Sequence, residues 1–234
     1  MDGLSAALAS QVSLREVFVT REAAVGIAPL LEQADASGAM VFEVTDAVME
    51  ALSQTRTPQG VVSTCVWAPA PLSHSMRPGA TCVVLENIAD PGNAGTIIRT
   101  ADAAGLGGVV LTEGSVDPGN GKCVRATAGS VFHLPIAAGV RSAAVRARAR
   151  EIEMPIVVAA ADGEHDLFAW VRSWDRSKGL CWVMGNEAHG VSEWMRAVAD
   201  ASVRIPITGR AESLNVASAA AVCLYATFAT GMED

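Results

Sequence analysis

Five short apolar runs in the later two thirds of the chain constrain its fold more than any other feature. Each is rich in valine, isoleucine or other apolar residues, and helical patterns or turn clusters separate one run from the next. The runs are TCVVLE (81–86), GGVVLT (107–112), PIVVAAA (155–161), LCWVMG (180–185) and SVRIPI (202–207). Strands without a polar face must be covered on both sides. The pattern therefore predicts an α/β domain with a parallel sheet between layers of helices.

A smaller α/β pattern precedes these runs. Strand-like and helix-like segments alternate from residue 15 to residue 67, and a stretch with three prolines and no apolar periodicity follows at 68–79. We therefore predict a small α/β domain over residues 1–67, a linker over 68–80 and a larger domain over 81–234.

Charge narrows the classes of function. The 234 residues carry a net charge of −8, divided into −4 for residues 1–80 (4 basic, 8 acidic) and −4 for residues 81–234 (13 basic, 17 acidic). An acidic chain does not coat nucleic acid nonspecifically, although a local basic patch can still bind it. One basic run offers either such a patch or a solvated helix face; it consists of Arg141, Arg146, Arg148 and Arg150.

The five cysteines are an odd number, and they form no C-x-x-C motif or paired Cys/His spacing. We predict neither a disulfide framework nor a metal site. The first ten residues, MDGLSAALAS, contain no basic segment of the kind that opens a secretory signal. The sequence thus predicts a cytoplasmic protein.

The last long segment carries no charged residue from position 213 to position 232. Its residues are mostly alanine, serine and threonine, which favour membrane insertion far less than leucine or phenylalanine. We predict a helix over 213–230 that is apolar on all faces and therefore buried, either in the core or against a second subunit, and no membrane span.

Ligands of open parallel sheets bind at the carboxyl ends of the strands, so the loops after the apolar runs are the places to search. The loop after the first run contains Asn93 and Arg99, six residues apart on a predicted helix. Six residues are close to two turns, so both side chains are expected to face one cleft. The alternative is that Asn93 caps the helix and Arg99 is solvated.

Two further loops carry candidate residues. After the fourth run, Gly185 allows the backbone to approach a ligand closely, and Glu187 places a carboxylate beside it. The alternative is a tight connection in which Ser192 caps the next helix. After the fifth run, Ser213 is the predicted cap of the last helix, and Asn215 in its first turn needs polar partners.

Three segments in this order resemble the motifs of the SpoU/TrmH branch of the SPOUT RNA methyltransferases. They read NIADPGNAGTIIRTA (87–101), VMGNEAHGVS (183–192) and IPITGRAESLNVASAAA (205–221). The resemblance covers residues 81–228 strongly. Residues 1–67 resemble, more weakly, the ribosomal-protein-like RNA-binding module that many members carry, with its basic leading segment missing or shortened.

The resemblance implies a methyltransferase that uses S-adenosylmethionine to methylate a ribose 2′-hydroxyl in structured RNA. It also implies a trefoil-knot fold and a homodimer whose active site spans the subunit interface. The front module favours ribosomal RNA over tRNA as the substrate. No metal is implied.

The family's functional residues fall on eight positions of this sequence. Its cofactor pocket corresponds to Gly185, Ile205 and Leu214, and its catalytic and RNA-facing set to Asn93, Arg99, Glu187, Ser213 and Asn215. A guanidinium is a poor proton acceptor, so we assign Arg99 to phosphate binding and alkoxide stabilisation. Ala188 departs from the glycine usual in the motif and would be strained by about 1 kcal/mol if its φ were positive.

Three other functions stay open at this point. A tRNA 2′-O-methyltransferase is compatible with the same motifs. A catalytically inactive RNA-binding member of the fold has no need for the five candidate catalytic residues. An unrelated α/β nucleotide-binding enzyme would be expected to carry a glycine-rich fingerprint directly after its first strand, where this chain has Asn-Ile-Ala-Asp.

Overall fold

The structure is a computed structural model that describes residues 2–10, 12–53, 55, 57–175 and 178–229. The chain divides into two units, Met1–Ala68 and Pro69–Asp234. Thr230, the predicted end of the last helix, lies outside the described residues.

The first unit is a small α/β layer structure. Its elements are α1 (Asp2–Ala9), β1 (Ser13–Thr20), α2 (Arg21–Gly26), α3 (Ala28–Ala36), β2 (Met40–Val44), α4 (Asp46–Ser53) and β3 (Val61–Val66). The central strand β1 pairs with β2 in parallel and with β3 antiparallel. Val17 and Val19 on one face of β1 are buried in the core of this unit.

The second unit is built on a seven-stranded sheet in the order β6-β5-β4-β9-β7-β10-β8, and every pair of neighbours is parallel. The elements are α5 (Leu72–Ser75), β4 (Cys82–Leu85), α6 (Pro91–Ala103), β5 (Gly108–Thr112), α7 (Gly121–Ala126), β6 (Ile136–Val140), α8 (Ser142–Glu151), β7 (Ile156–Ala159), β8 (His165–Asp166), α9 (Leu167–Ser173), β9 (Cys181–Met184), α10 (Glu193–Val198), β10 (Ala201–Arg204) and α11 (Val216–Ala229).

The predicted parallel sheet is confirmed, because all five apolar runs form strands of it. Every residue of β4, β5 and β9 is buried, as expected for strands covered on both faces. The strands β6 and β8 were not predicted from the sequence. The first, IAAGV, has alanine or glycine at three of its five positions, and the second has only two residues.

Residues 68–80 were predicted as a linker, but the structure places almost all of this segment in the second unit. Ser75 and Met76 in this segment are fully buried, and the Ser75 hydroxyl donates to the carbonyl of Pro135 at 3.0 Å. The guanidinium of Arg148 donates twice to the Met76 carbonyl, each at 3.1 Å. Met76 contributes apolar surface to the core, so this proline-rich and glycine-containing segment is a packed connection.

The last helix also differs from its prediction. It begins at Val216 instead of 213, and only one face is buried, while Tyr225 and Phe228 are 43% and 46% exposed. The indole of Trp182 in β9 donates to Thr227 Oγ1 at 3.1 Å, which holds the helix against the sheet. No helix within the described part of the chain has both the length and the apolar character needed to cross a bilayer.

Candidate active site at the carboxyl ends of the strands

A cavity of about 510 Å³ opens at the carboxyl ends of β9, β7 and β10. Its size falls in the range of cofactor and small-molecule sites. Six of the eight predicted site residues line it; these are Gly185, Glu187, Ile205, Ser213, Leu214 and Asn215.

Hydrogen bonds join three polar side chains from three separate segments, and two of the three, Glu187 and Asn215, line this cavity. The amide of Asn93 donates to Glu187 Oε1 at 2.6 Å, and the amide of Asn215 donates to Asn93 Oδ1 at 3.2 Å. These residues are 94 and 122 positions apart in sequence. The fold therefore assembles one polar cluster from the first turn of α6, the loop after β9 and the start of α11.

Asn93 is free to join this cluster because another residue caps its helix. Asp90 is the cap of α6 and accepts the backbone N–H of Asn93 at 2.9 Å. The Lys122 ammonium lies 3.1 Å from the same carboxylate. The backbone bond from Asn93 and the bond from Lys122 hold the pKa of Asp90 below its ordinary value.

Asn215, and not Ser213, caps the last helix, which corrects the prediction. Asn215 Oδ1 accepts the backbone N–H of Ala217 at 2.9 Å and that of Ser218 at 3.4 Å. Its oxygen thus satisfies the helix start while its amide hydrogens reach Asn93. Ser213 precedes the helix and lines the cavity.

The segment Gly185–Ser192, which we call the glycine loop, forms one side of the cavity. A Cβ on Gly185 would lie 2.2 Å from Gly190 C and from Val191 N, so the loop closes against a bare backbone. Gly190 has φ +69°, whereas Ala188 does not have a positive φ. The departure from the family motif at Ala188 therefore carries no backbone strain.

The prediction that Asn93 and Arg99 face one cleft is wrong, because neither lines the cavity and Arg99 takes no part in the polar cluster that contains Asn93. Its side chain is exposed and forms no hydrogen bond or ion pair with any described residue. The reason is helical geometry. Six residues rotate by about 600°, which is about 120° short of two turns, so the two side chains leave α6 on different faces.

Several cavity residues were not found from sequence. The end of β7 contributes Ala160 and Asp162, and α10 contributes Arg196, whose Nη2 lies 2.8 Å from both carboxylate oxygens of Asp162. This pairing holds the pKa of Asp162 below its ordinary value. A small-residue run after an apolar strand was the only available signal, and alanines alone do not indicate a site.

Two of the four arginines in the basic run at the start of and along α8 are engaged inside the second unit. Arg148 binds the Met76 carbonyl, and Arg146 lies 3.3 Å from Asp200, while Arg141 and Arg150 are exposed. Among the described residues no cluster of three or more His, Cys, Asp or Glu side chains is arranged to hold a metal ion.

Comparison with known proteins assigns the family. Residues 80–225 match the SpoU rRNA methylase family, and residues 3–66 match the RNA 2′-O ribose methyltransferase substrate-binding family. The chain belongs to the SpoU family, which confirms the family indicated by the three motifs.

Relatives with named activities are similar over most of their length. The 23S rRNA (guanosine(2553)-2′-O)-methyltransferase RlmP of Bacillus subtilis is 33% identical over 189 residues, 81% of this chain and 73% of the relative. The 23S rRNA (guanosine-2′-O-)-methyltransferase RlmB of Bordetella pertussis is 31% identical over 204 residues, 83% of this chain and 80% of the relative.

One solved structure is similar to this chain in both fold and sequence. The AdoMet-bound rRNA methyltransferase from Sinorhizobium meliloti superposes with a TM-score of 0.84 at 33% identity, covering 97% of this chain and 84% of that one. The methyltransferase AviRb from Streptomyces viridochromogenes, at 24% identity and a TM-score of 0.85 over 99% of this chain and 88% of that one, shares the fold.

Proposed function

We propose that this protein is an S-adenosylmethionine-dependent RNA methyltransferase that methylates a ribose 2′-hydroxyl in ribosomal RNA. The observation that carries the proposal is the cluster of Asn93, Glu187 and Asn215, of which Glu187 and Asn215 line the strand-end cavity. A protein that only binds RNA would not need three polar side chains joined at the mouth of a cofactor-sized cavity.

The cavity is compatible with S-adenosylmethionine. Its volume suits a ligand of that size, Ile205 and Leu214 supply apolar surface for an adenine ring, and the glycine loop brings backbone groups close. When bound, this cofactor supplies an electrophilic methyl group carried on a sulfonium.

The polar cluster is suited to holding the attacking ribose oxygen. Methyl transfer is an in-line displacement, so most of the rate enhancement comes from orientation. Glu187 fixes the amide of Asn93, and Asn93 fixes that of Asn215, so the Glu187 and Asn215 side chains that line the cavity are preorganised. Ser213 on the same lining adds a hydroxyl to orient the ribose.

Arg99 supplies positive charge to the reaction. A guanidinium stays protonated, so it binds the phosphate beside the target nucleotide and stabilises negative charge that develops on the oxygen. Because Arg99 lies outside the cavity of its own chain, we propose that it serves the cavity of a second subunit in a homodimer. The exposed Tyr225 and Phe228 on α11 offer apolar surface for such an interface.

Ribosomal RNA is favoured over tRNA as the substrate. The relatives RlmP and RlmB are named as 23S rRNA methyltransferases, and the first unit matches the substrate-binding family. We assign RNA capture to that unit. The five unpaired cysteines suit a reducing compartment, so we place the enzyme in the cytoplasm.

The test of the chemistry is Arg99→Ala, with Arg150→Ala as the matched control, since Arg150 is also an exposed arginine on a helix, α8. We expect Arg99→Ala to lose at least about a hundredfold in methylation rate with an unchanged Kd for S-adenosylmethionine, because it removes stabilising charge from the transition state. Arg150→Ala should behave like the wild-type protein. An active Arg99→Ala enzyme would overturn the role.

Mixing inactive variants tests the dimer. If Arg99 acts in the partner's site, an equal mixture of Arg99→Ala and Glu187→Ala proteins regains about a quarter of the activity, because half of the dimers are mixed and one of their two sites is intact. No recovery after subunit exchange would place Arg99 in its own subunit's site.

Mapping of 2′-O-methyl groups in rRNA and tRNA, with and without the gene, tests the substrate.

A further inference from the structure

Glu86 is a charged side chain in the interior, directly after β4, and it does not line the cavity. Only 2% of its surface is exposed, and a buried carboxylate is costly unless hydrogen bonds replace the lost water. Ser192 donates to it twice, from its backbone N–H to Oε2 at 2.8 Å and from its hydroxyl to Oε1 at 2.9 Å. The hydroxyl of Ser142 donates to Oε1 at 3.2 Å.

Both ends of the glycine loop are fastened to this one residue. Before the loop begins, the backbone N–H of Glu86 donates to the Met184 carbonyl at 2.8 Å. At its other end, Ser192 donates both of its bonds to the Glu86 carboxylate. Between them, the Asn186 side chain donates to the carbonyl of Asn87, the residue that follows Glu86, at 2.8 Å. The shape of the loop therefore depends on Glu86 and its neighbour.

The bond from the Ser142 hydroxyl connects Glu86 to a helix that is packed into the core of the second unit. Ser142 is the first residue of α8, whose Val145 and Ala149 are buried in the core. The positive end of this helix favours a carboxylate. We propose that Glu86 is a positioning residue that clamps the glycine loop to the sheet and so sets the affinity of the cavity for S-adenosylmethionine. This proposal rests on the proposed function.

The test measures binding of S-adenosylmethionine by calorimetry with the full chain, together with thermal unfolding of each variant. Glu86→Leu removes all three acceptor bonds at similar side-chain size, and we expect the Kd to rise about tenfold to a hundredfold. The Kd of Glu86→Gln should rise less. Its amide oxygen still accepts from the Ser192 N–H, and both serine hydroxyls can turn to accept from its NH₂ group.

Two serine variants separate positioning from general stability. Ser192→Ala and Ser142→Ala each remove one hydroxyl bond to the same carboxylate, but only Ser192 belongs to the glycine loop. Ser192→Ala also removes the cap bond that the Ser192 hydroxyl accepts from the Met195 N–H at 3.2 Å, so the thermal unfolding of each variant is compared with its Kd. We expect Ser192→Ala to raise the Kd and Ser142→Ala to leave it unchanged. The same pair keeps the test decisive if Glu86→Leu does not fold.

The outcomes distinguish this role from the proposed function. A wild-type protein that does not bind S-adenosylmethionine would overturn both. Wild-type binding with an unchanged Kd in Glu86→Leu, or in Ser192→Ala, would overturn only the role of Glu86. Equal weakening by the two serine variants would also overturn it, because it would indicate loss of stability without a specific effect on the loop.

Discussion

Replacement of Gly185 by alanine tests the cofactor cavity most directly. The added Cβ would lie 2.2 Å from Gly190 C and Val191 N and 2.4 Å from Gly190 O, whereas ordinary contacts begin at 3.4 Å. The glycine loop must therefore move by about 1 Å, and both contacted residues line the cavity. Overpacking of this kind costs about 1–3 kcal/mol.

This cost should appear in cofactor binding. In the free variant the loop relaxes away from the new methyl group, and binding has to restore its original position. We expect the Kd for S-adenosylmethionine, measured by calorimetry, to rise about fivefold to a hundredfold. Gly209→Ala is the control, because a Cβ there meets no atom within 4 Å and φ is not positive. A Gly185→Ala protein that binds as tightly as wild type would refute the reasoning.

Two further predictions concern titrating groups. Burial raises the pKa of Cys123 to about 11 and of Cys223 to about 12. At pH 8 we therefore expect Ellman's reagent to react only with the half-buried Cys65 in the native protein, and with all five thiols after denaturation. Rapid labelling of a native Cys65→Ser variant would contradict this. The pKa of Asp90 is lowered, so the stability it contributes is present above its ordinary value of 3.8 and lost as the pH falls through the lower folded value. The difference in urea midpoint between wild type and Asp90→Ala should shrink over that interval, and a constant difference would contradict it.

The second unit was the part most accessible from sequence. An apolar run such as CVVL of β4 has no polar face, and such a strand is stable only between two helix layers. Prediction failed where tertiary packing outweighed local signals. The proline-rich segment 68–80 indicated a linker, yet Met76 is buried in the core. The apolar residues of α11 indicated burial in the core or against a second subunit; Phe228 is exposed in the single chain, so the core does not cover it and the second alternative stays a prediction.

At the site, residue types were predictable and most partnerships were not. The motifs indicated Asn93, Glu187 and Asn215 together, but no spacing shows that Asn93 bonds to both of the others. The sequence predicted Ser213 as the cap of α11, but Asn215 caps this helix. Both candidates are good caps, and the choice depends on where the chain leaves the cavity.

The sequence by itself determined the parallel sheet, the family and the identity of the candidate site residues. These follow from local patterns, namely apolar runs that need cover on both faces and ordered motifs that few other chains carry. Only the tertiary structure decided that Arg99 lies outside its own cavity and that Glu86 holds both ends of the glycine loop. Both depend on the direction of side chains in three dimensions, and on contacts between segments about a hundred residues apart that one-dimensional spacing does not record.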